Sequence, residues 1–203
     1  MTEKPNANSN TKKIDGRIAR SEAQQEAIKT AFVDLVMEGN FAPTAVDVAN
    51  RTGISVRTVF RHFSNIDELY RNTSDLLRQR AFANMPKEFV PGNWESRLKQ
   101  VVTRRRVVFE ALLHSLEFMI INRHSSDYVE ESYQSILTES RLFLELTLKG
   151  YVDQKSDSFA ALVILFSPAH WRVLRMEYGL SVRRAERIVL TEALALYPAP
   201  DLI

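Results

Sequence analysis

The order of apolar and polar positions along the chain predicts helices separated by short polar breaks. The first clear stripe recurs every four residues, at Ala27/Ile28, Ala31/Phe32 and Leu35/Val36. That period is typical of a helix with one buried face, here from about Ser21 to Glu38. Ser21 and Gln24 have the spacing of a capping box, and Gly39 follows where a helix should end. The pattern therefore predicts a first helix that begins at Ser21.

Similar stretches follow along the rest of the chain, whereas alternation of the strand type is rare. They predict a helix that begins at Pro43 and Thr44, and further helices at about 56–63, 66–84, 94–122 (as one helix or two), 127–149, 157–166, 169–178 and 181–197. Residues 159–166 are eight consecutive apolar positions. Such a run predicts a helix that is buried on all sides and too short to span a bilayer. The predicted fold class is therefore all-α.

Two short helices joined by a tight turn are predicted between Asp47 and Phe63. Gly53 stands where the first of them must stop, because glycine reaches a positive φ without a Cβ clash. Ser55 follows in the position of an N-cap for the second helix. Val59 and Phe63 then share one apolar face. The remaining surface of the second helix carries Arg57, Thr58, Arg61 and His62.

A polar helix face of this kind suits the major groove of DNA. Arginine pairs bidentately with guanine, and threonine meets a phosphate or a thymine methyl group. A glycine-turned helix pair with a charged surface also occurs in helical proteins that bind no DNA. This stretch alone therefore leaves both interpretations open.

The residues around the helix pair resemble the DNA-binding domain of TetR-family transcriptional regulators, over the run from Ala27 to Leu69. The matching positions are Ala31-Phe32, Gly39, Phe41, Thr44, Val48-Ala49, Gly53-Ile54-Ser55, Thr58-Val59-Phe60, His62-Phe63 and Leu69. The resemblance covers about a quarter of the chain, and the ordered spacing of so many points makes it specific. Phe60 and Ile66 depart from it, since many members carry Tyr and Lys at those two positions.

The resemblance implies a transcriptional repressor that binds a pseudo-palindromic operator as a homodimer. It also implies release of the operator by a small-molecule ligand in the C-terminal domain. DNA contacts are expected from Arg17, Thr44, Ser55, Val56, Arg57, Thr58, Phe60, Arg61 and His62. The alternative is a helical regulator that is controlled by a protein partner and has no small-molecule ligand.

Four parts are expected along the chain: a disordered basic arm at 1–15, a helix-turn-helix DNA-binding domain at 16–63, a bridging helix at 64–85, and a ligand-binding and dimerisation domain at 86–203. The apolar runs 159–166 and 185–196 exceed what one small body covers, which favours a dimer through them. Residues 1–80 hold 12 Lys+Arg and 10 Asp+Glu, so the net charge of +2 lies in that part of the chain.

Composition and motifs exclude several classes of function. The 203 residues include no Cys, so disulfides and thiolate metal sites are excluded. Phosphate-binding glycine loops, a nucleophile elbow and a His-Glu-x-x-His helix are missing, and the four His are scattered. We expect no enzyme activity, no cofactor and no metal site. The polar N-terminus and the lack of a long apolar run predict a cytoplasmic protein that associates with the nucleoid through DNA.

Polar side chains among the apolar positions of 94–124 are candidates for a ligand site, because a pocket needs apolar walls and a few polar groups. These candidates are Glu110, His114, Glu117, Asn122 and Arg123. The neighbouring run Arg104-Arg105-Arg106 is interpreted as a solvated face.

Overall fold

The structure is a computed structural model that describes residues 7–83 and 88–197. All regular elements within those ranges are helical, which confirms the predicted all-α class. The helices are α1 (Ala7–Met37), α2 (Ala45–Thr52), α3 (Val56–His62), α4 (Ile66–Phe82), α5 (Trp94–Asn122), α6 (Asp127–Thr147), α7 (Asp157–Leu165), α8 (Pro168–Arg172) and α9 (Val182–Leu196). A π-helical turn at Val173–Glu177 follows α8 directly.

The helices form two compact units, Met1–Ser74 and Asp75–Ile203, here called the head and the body. The division falls inside α4, within the segment 64–85 that the sequence assigns to a bridging helix.

Helices α1, α2 and α3 and the first part of α4 belong to the head, and α2 packs against both α1 and α3. Ile28, Phe32 and Val36 of α1 are completely buried, as is Val48 of α2. Val59 of α3 completes this core at 2% exposure. These side chains fix the orientation of α3 against α1 and α2, because close-packed interiors leave little freedom to shift.

The first helix is longer than predicted, because α1 begins at Ala7 rather than at Ser21. Ser21 therefore lies inside α1 and is no N-cap, and Ala27 from the predicted stripe is exposed. Residues 7–15, which the sequence assigns to a disordered arm, belong to α1, and residues 1–6 lie outside the described residues. An existing helix extends by one hydrogen bond per residue at low cost, so it needs no apolar stripe to continue.

The body is arranged around α5, one continuous helix that packs against α6, α8 and α9. Helix α7 packs against α6, α8 and α9 in turn. The largest completely or almost completely buried side chains of the body include Leu98, Leu116, Phe118, Met119, Leu144, Leu148, Phe159, Leu162 and Phe166. Trp94 at the start of α5 donates from Nε1 to the carbonyl of Tyr197, at 2.7 Å. That bond ties the end of the described chain to the first turn of α5.

Helix α7 is not buried on all sides, which corrects the prediction made from its apolar run. Phe159 and Leu162 are buried, whereas Ile164 is 67% exposed and Ala160 is exposed as well. Within the described ranges, no single helix has both the length and the apolar content for a membrane span; α7 with the segment Pro168–Glu177 meets that requirement only as a pair bent by 45°.

Candidate functional site

The turn between α2 and α3 has the geometry that its residues predict. Gly53 lies at φ 69°, in the left-handed region, so it ends α2 where a side chain would strain the backbone. Ser55 is the N-cap of α3 and accepts from the backbone N–H of Thr58 at 3.2 Å. The two hydroxyls, Ser55 Oγ and Thr58 Oγ1, lie 2.9 Å apart. These contacts fix the first turn of α3, which carries the candidate DNA-reading side chains.

Thr44 caps α2 through a reciprocal pair of bonds with Asp47. The Thr44 hydroxyl accepts from the Asp47 backbone N–H at 3.2 Å, and the Asp47 carboxylate accepts from the Thr44 backbone N–H at 2.8 Å. The hydroxyl also donates to the same carboxylate at 2.7 Å. These hydrogen bonds to Thr44 lower the pKa of Asp47 below its ordinary value. The structure therefore shows Thr44 as the cap of α2, and its expected contact with DNA stays a prediction.

We expect Ser55→Ala to lower the free energy of unfolding of the head by about 1 kcal/mol, because the amide of Thr58 loses its side-chain acceptor. Ser21→Ala is the matched control, since Ser21 is an exposed serine inside α1. Urea unfolding followed by circular dichroism compares the two variants. An equal loss in both would show that Ser55 provides no special cap.

The outer side of α3 carries polar and aromatic side chains, whereas the inner side is buried. Val59 and the capping residue Phe63 are each 2% exposed. Arg57, Phe60 and Arg61 are exposed, with Phe60 at 52%. The half-buried residues of α3 are Val56, Thr58 and His62. An exposed face of this composition, rigidly backed by buried side chains, can enter a DNA major groove.

Two of the candidate DNA contacts share an intramolecular partner on α1. Gln24 Oε1 accepts from Arg61 Nη2 at 3.3 Å and lies 3.5 Å from His62 Nε2. Burial, with a smaller contribution from the Arg61 charge, lowers the pKa of His62 below its ordinary value near 6.5. The lowered pKa favours the uncharged imidazole, a form that can meet DNA as a hydrogen-bonding group. The sequence pattern assigns Gln24 to a helix cap, and the residue spacing gives no sign that it reaches α3.

The arginines of the head differ in whether they form an ion pair within the chain. Arg51 of α2 forms a two-bond ion pair with Glu38, at 2.6 Å for each bond. Arg57 is exposed and holds no ion pair with any described residue. Arg17 on α1 is exposed too. Arg57 is therefore the cation on the outer side of α3 that is available to a base without first breaking an internal contact.

Two of the predicted ligand-site residues in the body are occupied by ion pairs. Glu110 accepts from the indole Nε1 of Trp171 at 2.8 Å and from Arg175 Nε at 2.7 Å. Glu117 accepts from Arg172 Nη1 at 3.0 Å. Glu110 thus holds α5 to α8 and to the π-helical turn, and Glu117 holds α5 to α8.

The other three predicted ligand-site residues also lie at the C-terminal half of α5 or just after it. Asn122 donates to the backbone carbonyl of Phe118 at 2.7 Å, and Arg123 forms a two-bond ion pair with Glu130 at 2.6 and 2.9 Å. His114 is half-buried. None of the five predicted residues lines the cavity described next, and four of them stabilise the body through the contacts above.

A cavity of about 290 Å³ lies in the body among α4, α5 and α6. Its lining is largely apolar and aromatic, with four charged side chains and one hydroxyl. The lining residues are Arg78, Phe82, Arg104, Arg105, Val108, Phe109, Leu112, Ile136, Glu139, Ser140 and Phe143. A concave apolar site with a few placed polar groups is the usual form of a small-molecule pocket.

Two arginines of this lining overturn the interpretation of 104–106 as a solvated face. Arg104 and Arg105 are only 5% and 7% exposed. Arg106, the third of the run, forms an ion pair with Glu186 at 3.2 Å. A run of three charges along a helix points in three directions at 100° steps, so at least one of them faces the interior when the helix is central.

The fold of the chain is similar to that of a solved transcriptional regulator. A crystal structure of a transcriptional regulator from Rhodococcus sp. Rha1 matches with a TM-score of 0.60 and 18% sequence identity, over 84% of this chain and 96% of that chain. No protein-family model and no curated protein matches the chain. At this identity the likeness shows a shared fold.

Proposed function

We propose that the protein is a DNA-binding transcriptional regulator of the TetR type, not an enzyme. The observation that carries this proposal is the capped helix pair α2–α3, whose outer face exposes Arg57, Phe60 and Arg61 over a rigid core. The fold shared with a transcriptional regulator supports the same conclusion. The protein acts where the DNA is, in the cytoplasm and on the nucleoid.

The mode of action that we propose is repression by a homodimer on a pseudo-palindromic operator. Two copies of α3 then read half-sites whose centres lie about one helical turn, roughly 34 Å, or a multiple apart. Arg57, Phe60 and Arg61 contact the groove or its phosphates, and Arg17 contacts the phosphate backbone. We propose that a small-molecule effector in the body cavity releases the operator. Arg78 and Phe82 of that cavity belong to α4, so an occupant of the cavity contacts this helix directly.

Footprinting of the purified protein on its own promoter region tests this proposal. We expect protection of two related half-sites, and an affinity that falls steeply with salt because phosphate contacts release counterions. A footprint on one asymmetric half-site would contradict the dimeric geometry. Binding that is equal on operator and scrambled DNA at every salt concentration would contradict the assignment as a sequence-specific regulator.

The proposed dimer uses apolar surface that α7 and α9 leave uncovered. Ile164 of α7 is 67% exposed and Leu196 of α9 is 39% exposed. Much of the apolar surface that the sequence assigns to a dimer is covered within the chain instead, since Ala185, Val189 and Ala193 of α9 are buried.

We expect Ile164→Glu to weaken self-association by tenfold or more, because it places a charge in an apolar interface. Val90→Glu is the matched control, since Val90 is 66% exposed in the segment before α5. Sedimentation at several protein concentrations compares the two variants. A dimer that is unchanged in Ile164→Glu would place the interface elsewhere.

A further inference from the structure

The cavity in the body carries more positive than negative charge. Of its charged side chains, Arg78 and Glu139 neutralise each other through a two-bond ion pair at 3.0 and 2.9 Å. That contact also lowers the pKa of Glu139, so the carboxylate stays ionised at neutral pH. Arg104 and Arg105 remain, and neither forms an ion pair with a carboxylate of the described chain. The lining therefore holds two cations for which the described residues provide no counter-ion.

Arg105 forms hydrogen bonds with one residue, lies over the rings of Phe109 and Phe143 at 5.3 and 4.5 Å from their centres, and keeps one donor unused. Its Nη1 donates to Ser140 Oγ at 2.8 Å, and its Nη2 donates to the Ser140 backbone carbonyl. The buried Nε has no partner among the described residues. Burial lowers the pKa of the Arg105 guanidinium to about 9, so the group is still charged at neutral pH.

Arg104 has even fewer polar contacts. Its guanidinium carbon lies 3.7 Å from the centre of the Phe89 ring, and its buried Nη2 has no partner among the described residues. An aromatic face offers a cation only a part of what water offers. A buried charge without a counter-ion is strongly unfavourable, so buried arginines are normally paired. An anion in the cavity would supply the missing partner.

We propose that the cavity binds a small organic carboxylate with an apolar body, and that Arg104 and Arg105 are the counter-ions of its carboxylate. The rest of the lining fits the body of such a molecule, since it consists mainly of Val108, Phe109, Leu112, Ile136 and Phe143. Arginine suits this task because its planar fork matches the two oxygens of a carboxylate. The inference rests on the proposed function in one respect, in that it names the chemical class of the effector.

Calorimetric titration of the full chain, without DNA, tests the charge preference directly. The probes are octanoate, 4-phenylbutyrate and 2-naphthoate, each compared with the alcohol and the amine that carry the same body. We expect at least one carboxylate to bind ten times more tightly than both of its analogues. The proposal is overturned if, for each of the three probes, the alcohol or the amine binds as tightly as the carboxylate. It is also overturned if no carboxylate binds below millimolar concentration.

Substitution of the two arginines separates binding from a structural role. We expect Arg104→Met and Arg105→Met to lower the affinity for that carboxylate at least tenfold while the affinity for its alcohol changes less than twofold. Arg141→Met is the control, because Arg141 is exposed on α6 and pairs with Glu145 of the same helix. If the carboxylate and the alcohol lose affinity equally, the arginines shape the cavity and do not bind the anion. If a methionine variant does not fold, the comparison of the carboxylate, alcohol and amine probes on the unchanged chain still tests the proposal.

Different experimental results would contradict this inference and the proposed function. The titrations contain no DNA, so carboxylate preference can be absent while the operator footprint is present. Conversely, a chain that prefers carboxylates and protects no operator would keep the anion site and lose the regulatory role. A carboxylate that binds and also dissociates the operator complex would support both.

Discussion

Arg57→Ala is expected to weaken binding to the specific operator by about 1–3 kcal/mol, because the variant cannot form a bidentate pair with guanine. That change corresponds to roughly 5- to 150-fold in the dissociation constant. Arg57 is suited to this role because it lies in the first turn of α3, is exposed, and holds no ion pair with a described residue. The preference for one base over the others should weaken at one base pair in each half-site. Binding to a set of operators with single-base changes measures this preference.

Arg57→Lys is expected not to restore affinity, since lysine lacks the planar fork of the guanidinium. Arg17→Ala is the matched control on α1. It should weaken operator and scrambled DNA alike and reduce the salt slope by about one for each phosphate that the variant no longer neutralises. Titrations at several salt concentrations give both quantities. Equal weakening on both DNAs for Arg57→Ala would assign Arg57 to a phosphate and leave Arg61 or Thr58 as the base reader.

The helix pair could be predicted from sequence because each of its signals is local. Gly53 ends α2 by its own backbone freedom, and Ser55 caps α3 through a contact three residues away. The spacing of Val59 and Phe63 identifies the buried side of α3 within a single turn. Local rules of this kind do not depend on the remainder of the fold, and so they survive folding unchanged.

The arginine-rich cavity could not be predicted, because its contacts join residues far apart in sequence. Arg105 meets Ser140 across 35 positions, and Arg104 meets the ring of Phe89 in the segment before α5. A run of charged residues in a sequence does not show which side chains the neighbouring helices will place beside it. For the same reason the sequence does not predict the contact between Gln24 and Arg61, which are 37 positions apart.

The sequence pattern places the start of α1 too late for a different reason. The apolar stripe marks where a helix is buried, and it begins near Ile28. The helix itself begins at Ala7, and Arg17 and Ile18, which precede the stripe, are exposed. Periodicity therefore locates the packed part of α1 and not its end.

The packed part of α1 yields the largest expected effect on stability. Phe32 is completely buried in the head, where α1 packs against α2. Phe32→Ala is expected to lower the free energy of unfolding by about 3–5 kcal/mol, since it removes apolar packing and leaves a cavity that closes only in part. A decrease of that size approaches the whole stability of a small domain, so the head should be largely unfolded near body temperature.

Phe60→Ala makes the same chemical change on the exposed side of α3, where Phe60 is 52% exposed. Its expected effect on stability is within about 1 kcal/mol, because the substitution changes the burial of little apolar area. Urea unfolding gives the free energies, and hydrogen exchange of the amides of α2 and α3 shows whether the destabilisation lies in the head. If Phe32→Ala and Phe60→Ala unfolded at the same urea concentration, the packing of α1 against α2 would not account for the stability of α3. Phe60→Ala should weaken operator binding while the head stays folded, because Phe60 is exposed on the outer side of α3 whereas Phe32 is buried in the core.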